Sequence, residues 1–97
     1  LIIEPVADHL IAALRELLSN AMRHAKAKSL SVTVQALDGN LVLTVADDGI
    51  GIEEESRQSG LANLRRRAEE LGGTFVIGRR SPSGTRAKWS VPVGQKD

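Results

Sequence analysis

Apolar side chains recur at helical spacing near the start of the chain. From Asp8 to about Lys26, leucines and alanines lie three or four residues apart, at positions 10, 14, 17, 18, 21 and 25. This spacing puts them on one side of an α-helix and predicts that this side packs against a core. Because Pro5 stands just before the pattern, Asp8 is the expected N-cap, whose carboxylate would accept a hydrogen bond from a free N–H of the first turn.

The pattern then changes to a period of two, which is typical of strands. Residues 29–37 alternate between apolar and polar side chains, which predicts a half-buried strand. Its apolar residues are Leu30, Val32, Val34 and Ala36. The dipeptide Asp38-Gly39 favours a tight hairpin turn, so residues 41–47 are expected to return as a second strand.

A second helix and a second hairpin follow. Residues 60–71 carry a helical pattern that ends at Gly72-Gly73, where glycine suits the left-handed conformation after a last turn. Strands over 74–80 and 85–93 flank the turn sequence Ser-Pro-Ser-Gly. The order helix, hairpin, helix, hairpin predicts an α+β fold: a two-layer sandwich with helices on one face of a mixed, mostly antiparallel sheet.

Composition narrows the class of protein. The chain has 97 residues, of which 41% are hydrophobic, and we expect residues 1–97 to form one domain. A formal charge of +1 gives no general attraction to nucleic acid or to a membrane surface, and neither is expected as a partner. The chain has no cysteine, which excludes disulfides and thiolate metal sites and is compatible with the cytoplasm. It opens on Leu1 rather than Met, so we expect a piece of a longer protein.

Asp47 breaks the pattern of the second strand. Leu41, Leu43, Val45 and Asp47 share one face, so a carboxylate stands where the helices should pack. Burying a carboxylate without partners is costly. A ligand that offers an amine would satisfy this acceptor-only group. Capping a turn is the structural alternative, and the adjacent Asp48 is better placed for it.

The first helix carries polar residues on the side away from its apolar stripe: Glu16, Asn20, Arg23 and His24. A solvated face is the simplest interpretation for any one of them. Glu16 and Asn20, however, are four residues apart and stack one turn above the other. Their oxygens are hard ligands that suit Mg²⁺, and the carboxylate could also accept a reacting proton.

Three glycines permit close approach of a ligand to the backbone. Gly49 and Gly51 follow the second strand, and Gly60 is expected to open the second helix, where free N–H groups attract phosphate. No Walker loop and no dinucleotide fingerprint is present. His9 and His24 do not make a metal pair, and Phe75 and Trp89 are expected in the core rather than as platforms for stacked bases.

Four segments together resemble the ATPase superfamily shared by histidine kinases, type II topoisomerases, Hsp90 and MutL, often called the GHKL superfamily. They are "ELLSNAMRHA" (16–25), similar to its N box, "DDGIG" (47–51), similar to the G1 box, "SGLANL" (59–64), similar to the G2 box, and "SGTRAKWSVP" (83–92), similar to the terminal Gly-Thr strand. The run "GLANLRRRAEELGG" resembles sensor kinases that partner NarL-type response regulators, and it is nearest to actinobacterial gas- and redox-sensing kinases of the DevS/DosT kind.

This resemblance implies a Bergerat-type ATP-binding fold and a role for each motif residue. Asp47 would accept the adenine amino group with support from Thr85 through water, and Gly49 and Gly51 would line the nucleotide. Asn20 would ligate Mg²⁺, and Glu16 would polarise the attacking group. The amides of Gly60 and Leu61 would face the phosphates, and Arg23 or His24 could add positive charge.

The resemblance also implies partners. The γ-phosphate would pass to a histidine on a separate dimerisation domain, for relay to a response regulator, and the parent protein would be a homodimer. Neither His9 nor His24 fits the acceptor role, so this chain alone is expected to bind ATP without appreciable transfer. Only residues 52–59 separate Gly51 from Gly60, so the segment over the nucleotide is expected to be short.

Three alternatives stay open at this point. One is an anti-sigma-factor serine kinase of the same superfamily, and a second is a degenerate ATPase fold used only for docking. The third is a nucleic-acid patch made by Arg65-Arg66-Arg67 and Arg79-Arg80, which near-neutral charge and the acidic run 53–55 disfavour. The arginines of the second helix are expected to form a solvated face or to meet the dimerisation helices.

Overall fold

A computed structural model describes residues 4–23, 28–49, 54–79 and 83–93; among these, the side chains of residues 4, 5, 23 and 54–59 are outside the description. The chain runs helix, hairpin, helix, hairpin, as the sequence predicts. The elements are α1 (Glu4–Arg23), β1 (Leu30–Leu37), β2 (Asn40–Asp47), α2 (Glu54–Glu70), β3 (Thr74–Arg79) and β4 (Thr85–Pro92). The α+β class is therefore confirmed.

The four strands form one sheet in the order β1-β2-β4-β3. All three pairings between these strands are antiparallel. The two central strands are β2 and β4, whose register sets Leu43 opposite Trp89 and Asp47 opposite Thr85. Residues that face each other across an antiparallel pair lie on the same face of the sheet, so this register brings polar side chains together at one end of the pair.

The core fills the space between the helices and one face of the sheet. The largest fully buried side chains are Trp89, Leu43, Leu64 and Val91. The indole Nε1 of Trp89 donates a hydrogen bond to the Leu64 carbonyl oxygen at 3.2 Å, which joins the central strand β4 to α2. Phe75 is also buried. The expectation that both aromatic residues belong to the core is therefore confirmed.

Both helices begin earlier than the sequence pattern indicates. The helix α1 begins at Glu4, so Asp8 lies inside it, and the N-cap prediction for Asp8 is wrong. Pro5 falls in the first turn, where its missing N–H costs nothing. The helix α2 begins at Glu54 rather than at Gly60. Glutamate, arginine and glutamine in the segment 54–58 are good helix formers, and they extend the helix toward its N-terminus.

The strand β1 is more exposed than predicted. All eight of its residues are exposed, and Leu30, Val32 and Val34 keep 40%, 43% and 48% of their surface in contact with solvent. The cause is its position at the edge of the sheet, where α1 packs over β2 instead. The alternation of side chains was read correctly, but a period of two cannot say whether a helix covers the apolar face.

The turn at Asp38-Gly39 and the end of α2 are as predicted, whereas the turn expected at 81–84 lies partly outside the described residues. Asp38 and Gly39 both have positive φ, 54° and 80°, which is the conformation of a type I′ hairpin turn. At the end of α2, the Gly73 N–H donates to the Ala68 carbonyl at 2.7 Å and the Gly72 N–H donates to the Glu69 carbonyl at 3.0 Å. This pair of hydrogen bonds is a Schellman motif, and it confirms the helix end expected at Gly72-Gly73.

Candidate functional site

Three polar side chains predicted from the sequence meet in one pocket. The pocket encloses about 230 Å³, counting the solvent at its mouth. Its lining comprises Leu17, Asn20, Ala21, Val45, Asp47, Ile77, Thr85 and Ala87. The polar residues therefore come from α1, β2 and β4, while the other lining side chains are apolar. An apolar concavity with a few convergent polar groups is the usual form of a small-molecule site.

The polar members of this pocket are almost fully buried. Asn20, Asp47 and Thr85 retain only 5%, 4% and 4% of their surface exposed. In the part of the chain that the structure describes, Asn20 Nδ2 and Thr85 Oγ1 have no hydrogen-bond partner. Leaving such a group unsatisfied costs about 1–3 kcal/mol. Two such atoms beside one pocket indicate a binding site for a polar ligand.

Asp47 is held by the backbone that follows it. Its Oδ1 accepts a hydrogen bond from the Gly49 N–H at 2.9 Å. Both residues are buried, so the carboxylate is fixed at the end of β2 on the face that the helices cover. Asp47 therefore lies on the face where the helices pack, as the sequence predicts, and it lines the pocket. Its position opposite Thr85 follows from the strand register.

Asn20 lies on the buried side of α1 rather than on the opposite side. The buried residues of this helix are Val6, Ala13, Leu17, Asn20 and Ala21, whereas Ile11 and Met22 are 49% and 74% exposed. The predicted apolar stripe does reach the core, because Leu17 and Ala21 are buried and Leu10 and Leu14 pack against it. The contact face extends further round the helix than the leucine spacing indicates, and it includes Asn20. The solvated-face interpretation is wrong for Asn20, because α1 packs against β2 and α2 and Asn20 lies on the buried side of the helix.

Glu16 is half-buried and lies one turn before Asn20. Its carboxylate packs against Gly60 of α2: a Cβ at Gly60 would overlap Glu16 Oε2 and stand 2.8 Å from Glu16 Cδ. Glycine inside a helix costs about 1 kcal/mol relative to alanine, and here it gives the carboxylate room. Glu16 is absent from the lining of the Asn20 pocket, so the structure places it beside the pocket rather than in it.

Five other predicted site residues lie inside α2 or outside the described part of the chain. Gly60 and Leu61 lie in the interior of α2, and Leu61 packs against the core. Their amides therefore do not begin a helix, which corrects the expectation for Gly60. The Arg23 side chain, His24 and Gly51 lie outside the described residues.

Asp48, rather than Asp47, connects the end of one strand to the segment before another. Its Oδ1 accepts hydrogen bonds from the backbone N–H groups of Lys28 and Ser29, both at 2.9 Å, and its own N–H donates to the Ser29 carbonyl at 3.3 Å. The two hydrogen bonds to the carboxylate lower the pKa of Asp48 below its ordinary value. Asp48 therefore ties the end of β2 to the start of β1, as the capping alternative proposed.

The arginines of α2 are partnered within the chain. The Arg65 guanidinium lies 5.8 Å from the centre of the Phe75 ring, and Arg67 Nη1 lies 3.3 Å from His9 Nδ1. Arg66 Nε lies 3.9 Å from Glu70 Oε2 on the same helix. Arg65 and Arg66 are exposed and Arg67 is half-buried, so the expected solvated face is present in part, and two of these arginines also contact side chains on other elements.

Sequence reasoning gave no role to three residues of the pocket region. Ile77 and Ala87 line it and face each other across β3 and β4. Gly84, just before Thr85, is buried against the end of β2. The period of two that joins Thr85, Ala87 and Trp89 could have indicated Ala87, whereas Ile77 required knowledge of the strand order.

Two kinds of feature are absent from the described residues. No group of three or more histidine, cysteine, aspartate or glutamate side chains stands close enough to hold a metal ion in those ranges. Within the same ranges, neither helix is long and apolar enough to cross a membrane.

Comparison with known proteins supplies the family. Residues 6–95 match the family model described as histidine kinase-, DNA gyrase B-, and HSP90-like ATPase. The sensor protein VraS of Staphylococcus aureus (strain COL) is 37% identical over 95 residues, which are 95% of this chain and 27% of that protein. The chain thus spans about a quarter of the curated relatives it matches.

Solved structures agree on the fold. The ATP binding domain of PrrB from Mycobacterium tuberculosis matches with a TM-score of 0.75 and 23% identity, over 91% of this chain and 69% of that one. Full-length ShkA in complex with AMPPNP matches with a TM-score of 0.73 and 24% identity, over 91% of this chain and 22% of that one. The narrower likeness to kinases of the NarL-type and DevS/DosT kind stays a prediction. With its four motif segments in one continuous match, the chain belongs to the family of histidine kinase-, DNA gyrase B- and HSP90-like ATPases.

Proposed function

We propose that this chain is the catalytic, ATP-binding domain of a two-component sensor kinase. It would bind ATP with Mg²⁺ and donate the γ-phosphate to a histidine on a separate dimerisation domain, for relay to a response regulator. The observation that carries the proposal is the pocket where Asn20, Asp47 and Thr85 meet, with two buried polar atoms that lack partners in the described part of the chain. The likeness to the sensor protein VraS supports the kinase assignment.

The base would occupy the end of the pocket formed by β2 and β4. A carboxylate only accepts hydrogen bonds, so Asp47 is suited to the exocyclic amine of adenine. The Thr85 hydroxyl lies beside it, and its unmet hydrogen bond would be satisfied by a water shared with the base. Val45, Ile77 and Ala87 supply apolar surface against which a planar ring can pack.

The phosphates would lie toward the end of α1. Asn20 offers a side-chain oxygen, and Mg²⁺ characteristically takes one or two protein ligands and completes its shell with phosphate oxygens and waters. Asn20 would hold Mg²⁺ beside the phosphates, and the chemistry supplied by the bound ion would be neutralisation of phosphate charge. We propose Gly49 and Gly51 as backbone neighbours of the nucleotide and Arg23 or His24 as sources of positive charge.

The amides of Gly60 and Leu61 would also face the phosphates. They are engaged inside α2, which begins at Glu54. Their use on phosphate therefore requires the first turns of this helix to unwind when nucleotide binds. That step would also separate Gly60 from the carboxylate of Glu16 and leave this side chain free to approach the reaction.

Glu16 would act on the attacking group. In the transfer step, the bond between the γ-phosphorus and the bridging oxygen of ADP breaks while a phosphorus–nitrogen bond forms with the acceptor imidazole. Glu16 would hydrogen bond to the other ring N–H and favour the charge that develops there. Catalysis in such reactions rests mainly on position and charge neutralisation. We also propose that the parent acts as a homodimer and that this domain works in the cytoplasm, where ATP is supplied.

The proposal is tested by transfer in trans. The chain is mixed with γ-labelled ATP, Mg²⁺ and the separately produced dimerisation domain of its parent protein. We expect label on that domain that acid removes and alkali does not, because phosphohistidine is acid-labile whereas phosphoserine is acid-stable. Glu16→Gln should lower the transfer rate by at least about tenfold without weakening ATP binding. The matched control is Glu69→Gln, at an exposed glutamate of α2. Acid-stable label would replace the proposal with the serine-kinase alternative, and ATP binding without label on any acceptor would contradict it.

A further inference from the structure

The segment that leads into β4 crosses the end of β2 at Gly84. This residue is buried and has a φ of 110°, a conformation that side chains disfavour. Gly84 stands between Ser83, whose hydroxyl donates to the Asp48 carbonyl at 3.5 Å, and Thr85, which is opposite Asp47 in the strand register. Three consecutive residues therefore lie against the two aspartates.

No space exists at Gly84 for a side chain. A Cβ there would overlap the Asp47 carbonyl oxygen and stand 2.9 Å from both the Asp47 carbonyl carbon and the Asp48 Cα. Non-bonded carbon atoms prefer separations of about 3.5–4.0 Å. All three neighbours are backbone atoms, which cannot rotate away as a flexible side chain can. The contact therefore fixes the separation between the start of β4 and the peptide that carries Asp47.

The direction of the Asp47 side chain depends on this peptide. Asp47 Oδ1 is held by the N–H of Gly49, two residues further along the same backbone, and the carboxylate is 4% exposed. A displacement of the peptide would move the carboxylate and its donor relative to Thr85 and Ala87, which belong to β4. The contact at Gly84 therefore determines how Asp47 is positioned relative to Thr85 and Ala87 in the pocket.

We propose that Gly84 is a positioning residue for recognition of the nucleotide base. It touches no nucleotide itself, and it acts by allowing β4 to approach the Asp47 peptide closely enough for Asp47 and Thr85 to face one ring. The inference rests on the proposed function, in which Asp47 accepts the adenine amino group. Gly84 is not among the residues proposed above to bind the nucleotide or Mg²⁺.

Alanine at position 84 should weaken base recognition rather than nucleotide binding in general. A misplacement of about 1 Å at a reacting or binding group can cost about 100-fold. The hydrogen bond between the base and Asp47 is worth about tenfold to 100-fold in affinity, because a hydrogen bond to a charged group contributes about 1.5–3 kcal/mol. Gly84→Ala should remove most of the preference for ATP over purine riboside triphosphate, which lacks the 6-amino group.

Two other glycines provide matched controls. A Cβ at Gly73 would overlap the Ser90 carbonyl oxygen and stand 2.7 Å from the Val91 Cα, so Gly73→Ala creates a similar backbone collision at the opposite end of β4. Gly78 has nothing within 4 Å of its Cβ position, so Gly78→Ala changes a glycine at no steric cost. The experiment measures the affinity of each variant for both nucleotides by calorimetry, with Asp47→Asn in parallel and the folded state checked by circular dichroism.

The expected result is a preference for ATP in the unmodified chain that Gly84→Ala and Asp47→Asn both remove. Gly73→Ala should lose stability and keep the preference, and Gly78→Ala should match the unmodified chain. A folded Gly84→Ala protein that keeps the preference while Asp47→Asn loses it would overturn this inference alone. Equal affinity of the unmodified chain for the two nucleotides would overturn the role of Asp47, and with it this inference.

A measurement on the unmodified chain decides the matter if Gly84→Ala does not fold. The amide resonance of Gly84 is followed by nuclear magnetic resonance during titration with each nucleotide. We expect it to shift more with ATP than with purine riboside triphosphate, because only ATP pulls on the Asp47 carboxylate. The amide of Gly73 should show no such difference. Equal shifts of the Gly84 amide with both nucleotides would overturn the inference.

Discussion

The two ends of the central strand pair β2–β4 are built for different purposes. At one end Leu41 and Leu43 lie opposite Val91 and Trp89, and all four side chains are buried and apolar. At the other end Asp47 lies opposite Thr85, and both are equally buried. The apolar end gains stability from removing surface from water. At the polar end the buried Thr85 hydroxyl has no hydrogen-bond partner among the described residues, so its desolvation cost is not offset there. A buried polar group that the fold itself does not satisfy is typical of a binding site.

The largest effect should come from the apolar end. Trp89 is fully buried and donates a hydrogen bond to the Leu64 carbonyl of α2. Trp89→Ala should lower the free energy of unfolding by about 3–5 kcal/mol, the range for truncating a buried aromatic residue. Chemical denaturation followed by circular dichroism measures it. A loss below about 1 kcal/mol would show that this end is not the source of stability.

Two reciprocal substitutions, one at each end of the strand pair, should have different effects on stability. Val91→Thr places a hydroxyl in the apolar end and should cost about 1–3 kcal/mol of stability. Thr85→Val removes the buried hydroxyl that lacks a partner in the described residues, so it should leave stability unchanged or raise it by about 1 kcal/mol.

The affinity for ATP should show the reverse pattern: the variant that keeps its stability should lose affinity, and the destabilised variant should keep it. Thr85→Val should bind ATP more weakly, because the water shared with the base loses a partner, whereas Val91→Thr should bind it as the unmodified chain does. Thermal unfolding and calorimetric titration are run on both proteins. Equal destabilisation by the two substitutions would mean that both ends of the strand pair serve stability alone.

The smallest effect should come from Asp48, which is exposed and lies outside the pocket. Its pKa is lowered in the folded chain, so its contribution to stability is present above the pKa of the unfolded chain, about 3.9, and is lost as pH falls through the lower folded value. Asp48→Asn should therefore be less stable than the unmodified chain at neutral pH, with the difference shrinking in acid. Denaturation at several pH values measures this difference. Asp38→Asn is the control, at an exposed aspartate of the hairpin turn, and a difference for Asp48→Asn that grows toward acid would contradict the assignment.

The sequence predicted those parts of the fold that depend on local chemistry. Both hairpins, the turn at Asp38-Gly39 and the end of α2 were foreseen because period-two alternation and glycine position act within a few residues. Asp47 was identified for the same reason, since a carboxylate on an apolar strand face violates a local rule.

The rest depends on which elements pack together. The exposure of β1 and the burial of Asn20 both follow from where α1 packs on the sheet, which no spacing along the helix reveals. The start of α2 was missed because ordinary helix formers extend a helix without an apolar stripe. The start of α1 was missed because Pro5 was taken to precede the helix, whereas it lies in the first turn and Val6 already belongs to the core. The sequence placed Gly84 in a turn and in the Gly-Thr motif but did not reveal its contact, because the constraint is the backbone of Asp47, 37 residues earlier in the chain.

The central claim is that the polar end of the β2–β4 pair binds the base of ATP through Asp47. The most direct measurement is calorimetric titration of the chain with ATP, with and without Mg²⁺, for the unmodified protein, Asp47→Asn and Asp38→Asn. The account predicts saturable binding that Asp47→Asn weakens by at least about tenfold, because it puts an amide where a charged acceptor is needed. Asp38→Asn makes the same chemical change at an exposed turn and should leave binding unaltered. Equal affinity of the two folded variants for ATP would contradict the claim.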